Sequence, residues 1–184
     1  MALTRLGLNQ AVNLTSNVTG ALPVANGGTN LTSGFINGTT AVGKVLQVVS
    51  ANITSTSTTT SSSFGASNVT ATITPTSSSS KILIMMAGGM NGFAGGTQDL
   101  QHVGYCKIYR GTSEIENSTR GSGTFWTQES NVYRQLSVSI EDSPSTTSAT
   151  TYTLYFKRYE GDATFSLNRD GNGHMNVILM EIAA

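Results

Sequence analysis

The sequence predicts an all-β protein: an antiparallel, jelly-roll-like β-sandwich knob preceded by an extended N-terminal segment. Charged residues make up only 11% of the chain, against roughly 25% in a typical soluble domain. Ser and Thr, with 23 and 27 residues, supply the polarity instead, without the i,i+4 ion pairs that support long helices. Short apolar segments recur between Gly- and Ser-rich turns, and this spacing is typical of sandwiches and barrels.

A change in charge divides the chain near residue 44. All ten acidic residues lie at or beyond Asp99, and the first 80 residues carry only Arg5 and Lys44 as charged groups. Residues 1–43 have isolated apolar side chains without a sustained period, so they cannot bury enough apolar surface alone. The sequence therefore predicts an extended attachment or shaft segment at 1–43 and a knob domain with its own core at 44–184.

The N-terminal segment needs a partner that orders it. Sister chains wound around a threefold axis would serve, and so would a socket in a larger assembly. A short helix over 3–14 is an alternative that Gly7 and the β-branched Val12 disfavour. The candidate attachment residues are Leu3, Leu6, Leu8, Val12 and Leu14.

From residue 45 onward the pattern predicts strands separated by turns. Residues 45–49 open the domain, and 68–74 alternate apolar and polar side chains with period two. The apolar run 82–87 is too short for a typical helix and is bounded by a serine run and two glycines, which predicts a central strand covered on both faces. Further strands are predicted at 102–110, 132–141, 151–159, 163–168 and 174–182.

Composition also argues against several classes of partner and cofactor. The net charge is zero, whereas a nucleic-acid or anionic membrane surface requires clustered Lys and Arg. Cys106 is the single cysteine and, with only His102 and His174 beside it, excludes an internal disulfide and the common zinc clusters. No segment resembles a secretory signal or a membrane span of about 18 apolar residues. We expect no metal, no cofactor and no membrane insertion.

No group of residues has the context of an active site. His102 and Cys106 share a strand face, but this spacing separates their Cα atoms by roughly 13 Å, too far to share a proton. The Gly121–Gly123 segment lacks the elbow pattern of a serine nucleophile. Residues 170–173 are similar to the start of a calcium loop, but its twelfth position is Glu181, inside an apolar strand, so a hairpin turn is favoured.

Two pairs of carboxylates resemble the pairs that cleave glycosides. Glu114 and Glu116 are expected on a solvated face, and Glu141 with Asp142 is expected where a strand leaves into a turn. Structural roles are therefore favoured for both pairs, and we expect no enzyme activity. The remaining enzymatic alternative, a polysaccharide depolymerase, would depend on Asp170, Glu141 or Glu160.

Aromatic residues with arginines near them in sequence give the clearest surface chemistry. Aromatic faces and Arg forks are common binding anchors, although core packing and subunit interfaces use the same residues. Within 117–131, Phe125 and Trp126 lie in a polar, Gly-rich stretch where no strand core explains them, which predicts a recognition loop. The candidate receptor or interface residues are Tyr105, Tyr109, Arg120, Phe125, Trp126 and Tyr133.

An ordered set of short motifs resembles bacteriophage fibre proteins. Ala21–Thr29 followed by Leu31–Ser33 is similar to the linker repeat of phage tail fibres, with Asn30 where that repeat has Gly. The remainder resembles a C-terminal domain common in fibre-like proteins of marine and cyanobacterial phages. Its motifs are Gly43–Val49, Val69–Pro75, Ser79–Leu83, Asp142–Thr147, Leu167–Arg169 and Met180–Ala184.

The resemblance implies a homotrimeric, non-enzymatic virion protein of the tail or capsid surface, assembled in the cytoplasm of the host bacterium. Residues 1–43 would dock on other virion proteins, and the knob would face outward toward a host cell-surface glycan or protein. The chain is shorter than many such fibres, which leaves its location open. A capsid decoration or tail adaptor protein with a purely architectural role is the alternative.

Overall fold

The computed structural model describes residues 44–94, 97, 100–129, 132–168 and 173–184. These residues form two antiparallel sheets without a helix, so the predicted all-β class is confirmed. The predicted attachment segment 1–43, with its candidates Leu3, Leu6, Leu8, Val12 and Leu14, lies outside the described residues. Residues 170–172 of the calcium-loop-like segment 170–173 lie outside them as well.

Strands account for most of the described chain. They are β1 Val45–Ile53, β2 Ser57–Thr59, β3 Gly65–Ile73, β4 Lys81–Ala94, β5 His102–Arg110, β6 Ser113–Glu114, β7 Gly123–Thr127, β8 Val132–Asp142, β9 Thr150–Glu160, β10 Thr164–Leu167 and β11 Met175–Ile182. Every predicted strand is present. The additional strands β2, β6 and β7 span three, two and five residues, too short for a clear alternating pattern.

The first sheet consists of four rows, two of which are interrupted. β11 and β10 pair with successive parts of the same edge of β4, and β1 and β2 pair with β11 and β10 in turn. β8 pairs along the other edge of β4. The order of rows is therefore β1 with β2, β11 with β10, β4 and β8.

The second sheet also has four rows, in the order β3, β9, β5, and β6 with β7. β6 pairs with the end of β5 and β7 with its beginning. The two strands of each interrupted row follow each other in the chain and stay in one sheet. Every other connection crosses to the opposite sheet, except the hairpin between β5 and β6. Two four-row sheets connected in this way form a jelly roll, as the sequence predicts.

The inner faces of the two sheets enclose one core. Along β4, Ile82, Ile84 and Met86 are buried, while Leu83 and Met85 point to the outer face and are only partly buried. Within the single chain, the described residues cover this apolar run on one face only, so the prediction of cover on both faces is wrong at this level. An antiparallel sandwich buries one face of each sheet, and a run without polar residues does not show which face that is.

Phe165 occupies the centre of the core. Its ring centroid lies 6.1 Å from that of Phe125 and 5.6 Å from that of Phe156, so β10 of the first sheet contacts both partners across the sandwich. The ring fits against Gly104 of β5, where an added Cβ would lie 2.9 Å from two of its atoms. A glycine within a strand often marks such a close approach.

Asn168 stabilises the place where both interrupted rows break. Its backbone has a φ of 52°, a left-handed conformation that asparagine tolerates. The buried side-chain amide donates to the carbonyl oxygens of Ile53 at 3.1 Å and Ser55 at 3.3 Å. Thr56 Oγ1 donates to the Asn168 carbonyl at 2.7 Å. These bonds satisfy backbone groups that a continuous ladder would otherwise pair.

Glu116 likewise satisfies a backbone group where a row is interrupted, in the gap between β6 and β7. Its carboxylate is buried and accepts from the backbone N–H of Ile108 at 2.6 Å and from Ser122 Oγ at 2.5 Å. The expectation that Glu116 lies on a solvated face is therefore wrong. A carboxylate can substitute for a strand here because it accepts the N–H that has no ladder partner.

We predict that Gly104→Ala lowers the free energy of unfolding by about 1–3 kcal/mol, because the new methyl group must displace the Phe165 ring in a packed core. Gly89→Ala is the matched control, since a Cβ there would meet nothing within 4 Å. Urea unfolding of both variants measures the difference. Equal stability of the two variants would contradict the packing at Gly104.

Candidate functional site

The predicted recognition loop contains a strand. Residues 123–127 form β7, in which Phe125 points inward and is 3% exposed, while Trp126 points outward and is 52% exposed. The prediction that Phe125 belongs to a recognition surface is wrong. Adjacent residues of a strand face opposite sides of the sheet, and the Gly-rich surroundings concealed this short strand.

Three of the predicted residues, Tyr105, Arg120 and Trp126, line one depression on the outer face of the second sheet. We call this depression the tryptophan cleft. Its volume is about 400 Å³, within the range of small-molecule sites. The other lining residues are Gln101, Val103, Thr124, Tyr159 and Glu160.

Trp126 is held in place through its ring nitrogen. With the Gln101 amide in the orientation that satisfies both neighbours, its oxygen accepts from Trp126 Nε1 at 2.5 Å and its nitrogen donates to Glu160 Oε2 at 3.1 Å. Amide orientation is assigned from such a network. The indole therefore exposes its apolar surface while its polar atom is bonded.

Tyr159 forms part of the other side of the cleft and is also supported. It is 58% exposed, and its ring centroid lies 4.9 Å from that of Tyr105 at an angle of 33°. Lys157 Nζ lies 5.7 Å from each of these two ring centroids, which is within the range of a cation–π contact. Tyr105 is thereby covered and is only 4% exposed.

Tyr109 lies farther along the same face, outside the tryptophan cleft. Its ring stacks on Tyr155 with centroids 3.9 Å apart, and its hydroxyl donates to Glu114 at 3.3 Å. Burial, followed by the nearby charge of Glu114, raises the pKa of Tyr109. Lys107 forms an ion pair with the same carboxylate. Tyr109 is thus fixed by its neighbours and stays protonated at neutral pH.

The two central strands carry the same motif, Tyr-x-Lys-x-Tyr, at 105–109 and 155–159. The antiparallel register places Tyr105 opposite Lys157 and Lys107 opposite Tyr155. Phe64 lies over both lysines, with its centroid 4.9 Å from one Nζ and 4.6 Å from the other. This repeated motif is a signal in the sequence that indicates that these tyrosines and lysines form one cluster.

We call this surface the aromatic face and define it by the outward rings of the second sheet. They are Phe64, Tyr105, Tyr109, Trp126, Tyr155 and Tyr159.

Tyr133 does not belong to the aromatic face. It lies on β8 of the first sheet and is 64% exposed. By the alternation of β8 it points to the outer face of that sheet, since Leu136 and Val138 point inward. Tyr133 and Trp126 thus lie on opposite outer faces of the sandwich. An interface role for Tyr133 stays a separate prediction.

The residues considered as a catalytic dyad belong to the interior. His102 and Cys106 on β5 are both buried. Burial, together with the charge of Glu116, raises the pKa of the Cys106 thiol far above its ordinary value. Because the thiolate is the reactive form, Cys106 acts here as a small core side chain.

Glu141 and Asp142 form separate structural contacts. Glu141 makes an exposed ion pair with Lys81 at 2.6 Å. Asp142 accepts two hydrogen bonds from Arg110 Nη1, at 3.1 and 2.9 Å, and one from the Tyr152 hydroxyl at 2.7 Å. Burial and this last bond raise the pKa of Tyr152. Asp142 therefore connects β8 of the first sheet with β5 and β9 of the second.

Glu181 is buried near the C-terminal end of β11. Its carboxylate accepts from Gln47 Nε2 at 2.6 Å and from the backbone N–H and hydroxyl of Thr76 at 2.7 and 2.8 Å. Burial alone would raise its pKa, but the hydrogen bonds from Gln47 and Thr76 prevail and lower it from 4.5 to about 2. Glu181 thus joins β1, β11 and the turn before β4 in its ionised form.

Neither a metal centre nor a membrane helix is found in the part of the chain that the structure describes. Its His, Cys, Asp and Glu side chains form no group of three that could hold an ion. No helix in this part is long and apolar enough to cross a membrane.

No protein-family model matches the chain, and no curated protein matches it. The class of this protein is therefore defined by its fold and its candidate site alone. The described chain is a jelly-roll domain with an aromatic face on one of its two sheets.

We predict that Glu181→Gln changes how stability depends on pH. A carboxyl whose pKa is lowered by folding stabilises the fold above pH 4.5 and loses this contribution as the pH falls toward about 2. The stability difference between wild type and variant should therefore be large at neutral pH and shrink over this window in urea unfolding. Glu141→Gln, which removes an exposed pair, should show a much smaller difference, and equal behaviour of the two variants would contradict the role of Glu181.

Proposed function

We propose that this chain is a structural virion protein of a bacteriophage, a short homotrimeric fibre. Residues 1–43 dock on other virion proteins of the tail or capsid, and the jelly-roll knob recognises the host surface. The observation that carries the recognition of a surface ligand is the aromatic face, on which Trp126 and Tyr159 are more than half exposed and yet held by defined contacts.

The fold is compatible with this function. Jelly rolls are common in viral capsid and lectin domains, but one fold supports many functions. The assignment to a phage rests on the similarity of residues 21–33 and 142–147 to fibre motifs. The fold contributes a rigid scaffold with two outer faces.

Recognition is favoured by where the aromatic residues lie. Trp126 and Tyr159 are on strands β7 and β9, not on loops, and sites built on strands hold their geometry more closely. Exposed Trp, Tyr and Arg are the residues that contribute most to binding surfaces.

Association with copies of the chain is supported by the other outer face. Val48, Met180 and Leu83 lie side by side across β1, β11 and β4. Next to them, Ile178 of β11 pairs with Met85 of β4. We call these five residues the apolar patch. Val48 is 56% exposed, and contiguous apolar surface of this kind marks protein contacts. The threefold number follows from the resemblance to phage fibres.

We predict that the full chain runs as a trimer in light scattering. Val48→Asp should dissociate it, because a charge in an apolar contact is costly to bury. Ser137→Asp, an exposed position on β8 of the same sheet, is the matched control and should remain trimeric. A stable wild-type monomer would contradict the fibre proposal, and a trimer unaffected by Val48→Asp would remove the apolar patch as its interface.

We predict that fluorescently labelled full chain binds cells of at least one strain in a panel of cyanobacteria and marine bacteria. Trp126→Ala should reduce the labelling by about tenfold or more, as loss of a central aromatic anchor does. Gln135→Ala removes an exposed side chain from β8 on the opposite face and should leave labelling unchanged. Flow cytometry measures the labelling.

The apolar patch also favours a second candidate, a decoration or adaptor protein that only connects virion proteins. Such a protein would form oligomers or bind particles without labelling any cell. Absence of labelling across the panel, with the trimer intact, would therefore support this architectural function against host recognition.

A further inference from the structure

The chemistry of the tryptophan cleft narrows the kind of ligand that it can bind, and this inference rests on the proposed recognition function. The floor of the cleft is apolar and consists of Val103 and Tyr105, both buried. Trp126 and Tyr159 are the large exposed rings beside it. A ligand must therefore present an apolar surface to these rings.

The rim of the cleft is polar and of mixed charge. Arg120, Thr124 and Glu160 lie on it, so one guanidinium, one hydroxyl and one carboxylate surround the apolar floor. Opposite charges on the rim disfavour a phosphate-rich ligand, which would require clustered cations. Planar guanidinium and carboxylate groups suit instead the exchange of paired hydrogen bonds with neighbouring hydroxyls.

Distances between strands set the size of the ligand. β7 and β9 flank β5 on its two edges, so the backbones of Trp126 and Tyr159 stand two strand spacings apart, about 10 Å. A single six-membered ring with its hydroxyl groups fits this width. A folded protein partner would instead require about 800 Å² on each side, far more than the cleft provides.

The cleft is organised before any ligand arrives. Gln101 fixes the Trp126 ring and is itself held by Glu160, and Tyr159 packs on Tyr105 beside Lys157. Binding therefore needs little ordering of side chains, which is a main cost of association. The cleft thus offers two fixed aromatic surfaces and, around them, a polar rim. These match the two parts of a sugar, whose C–H groups form an apolar face and whose hydroxyls form a polar edge.

We propose that the tryptophan cleft binds a saccharide: one pyranose unit of an uncharged or weakly charged glycan packs its C–H face on Trp126 and Tyr159. Its hydroxyl groups bond to Arg120, Thr124 and Glu160. No bond is made or broken in the ligand. Affinity for a single unit is low, and trimeric presentation of three clefts raises it on a cell surface by multivalency.

The chain carries its own probe for this site, because Trp126 is its only tryptophan. Methyl glycosides of the common envelope hexoses, 6-deoxyhexoses and N-acetylhexosamines, and purified lipopolysaccharide O-chains, are titrated into the full chain while tryptophan fluorescence is recorded. We expect a saturable change with at least one of these probes, at millimolar order for a monosaccharide. Inorganic phosphate at the same concentrations should leave the fluorescence unchanged.

Variants that keep the fluorophore test the geometry. Tyr159→Ala should weaken saccharide binding by about tenfold or more, which is the loss expected for one stacking surface. Gln135→Ala, an exposed position on the outer face of β8 in the first sheet, should bind as wild type does. Thermal unfolding of both variants checks that the knob remains folded. Equal affinity of Tyr159→Ala and wild type would overturn the cleft as the site.

The two proposals fail in distinguishable ways. If no saccharide probe gives a saturable change, the saccharide inference is wrong. Should the labelled chain still bind cells through Trp126 in that case, host recognition stands, and its ligand is of another class, such as a surface protein. If cell binding also fails, the proposed recognition function falls together with the saccharide inference.

Discussion

The register between β5 and β9 is the constraint on which both the core and the aromatic face depend. In this register Cys106 lies opposite Phe156 on the inner face, and Tyr105 lies opposite Lys157 on the outer face. Because side chains alternate with period two, a slip of one residue would place lysine and tyrosine in the core and expose the apolar residues. The core therefore selects the register. The same register brings the outward Tyr and Lys side chains together without any further loss of backbone entropy.

Buried polar groups make this regular sandwich compatible with interrupted rows. Asn168 bonds to backbone carbonyls where β1 gives way to β2, and Glu116 accepts a backbone N–H where β6 gives way to β7. Asp142 and Glu181 join separate strands at other points. The buried carboxylates of Glu116 and Glu181 both accept hydrogen bonds, so these side chains add specificity to a core that is otherwise apolar. This explains why the acidic residues that resemble catalytic pairs in sequence serve the fold.

The two outer faces differ in chemistry, and this difference supports a division of labour. The first sheet presents the apolar patch around Met180, and the second presents rings that are ordered by polar and cationic neighbours. Apolar aliphatic surface suits a permanent contact between chains, whereas ordered aromatic rings beside polar groups suit a reversible ligand. The proposed fibre knob would use both kinds of surface, and a sandwich can place them on opposite sides.

The sequence by itself determined the all-β class and the eight principal strands, because the length and alternation of apolar segments are local properties. It also predicted Tyr105, Arg120 and Trp126 as candidate binding residues, which the structure places around one cleft. Only the tertiary structure decided that Phe125 is core and Trp126 surface, since the short strand β7 becomes visible through its pairing with β5. It also brought Gln101, Tyr159 and Glu160 to the same cleft. Residues more than fifty positions apart meet there through strand pairing, which depends on how the whole sandwich closes.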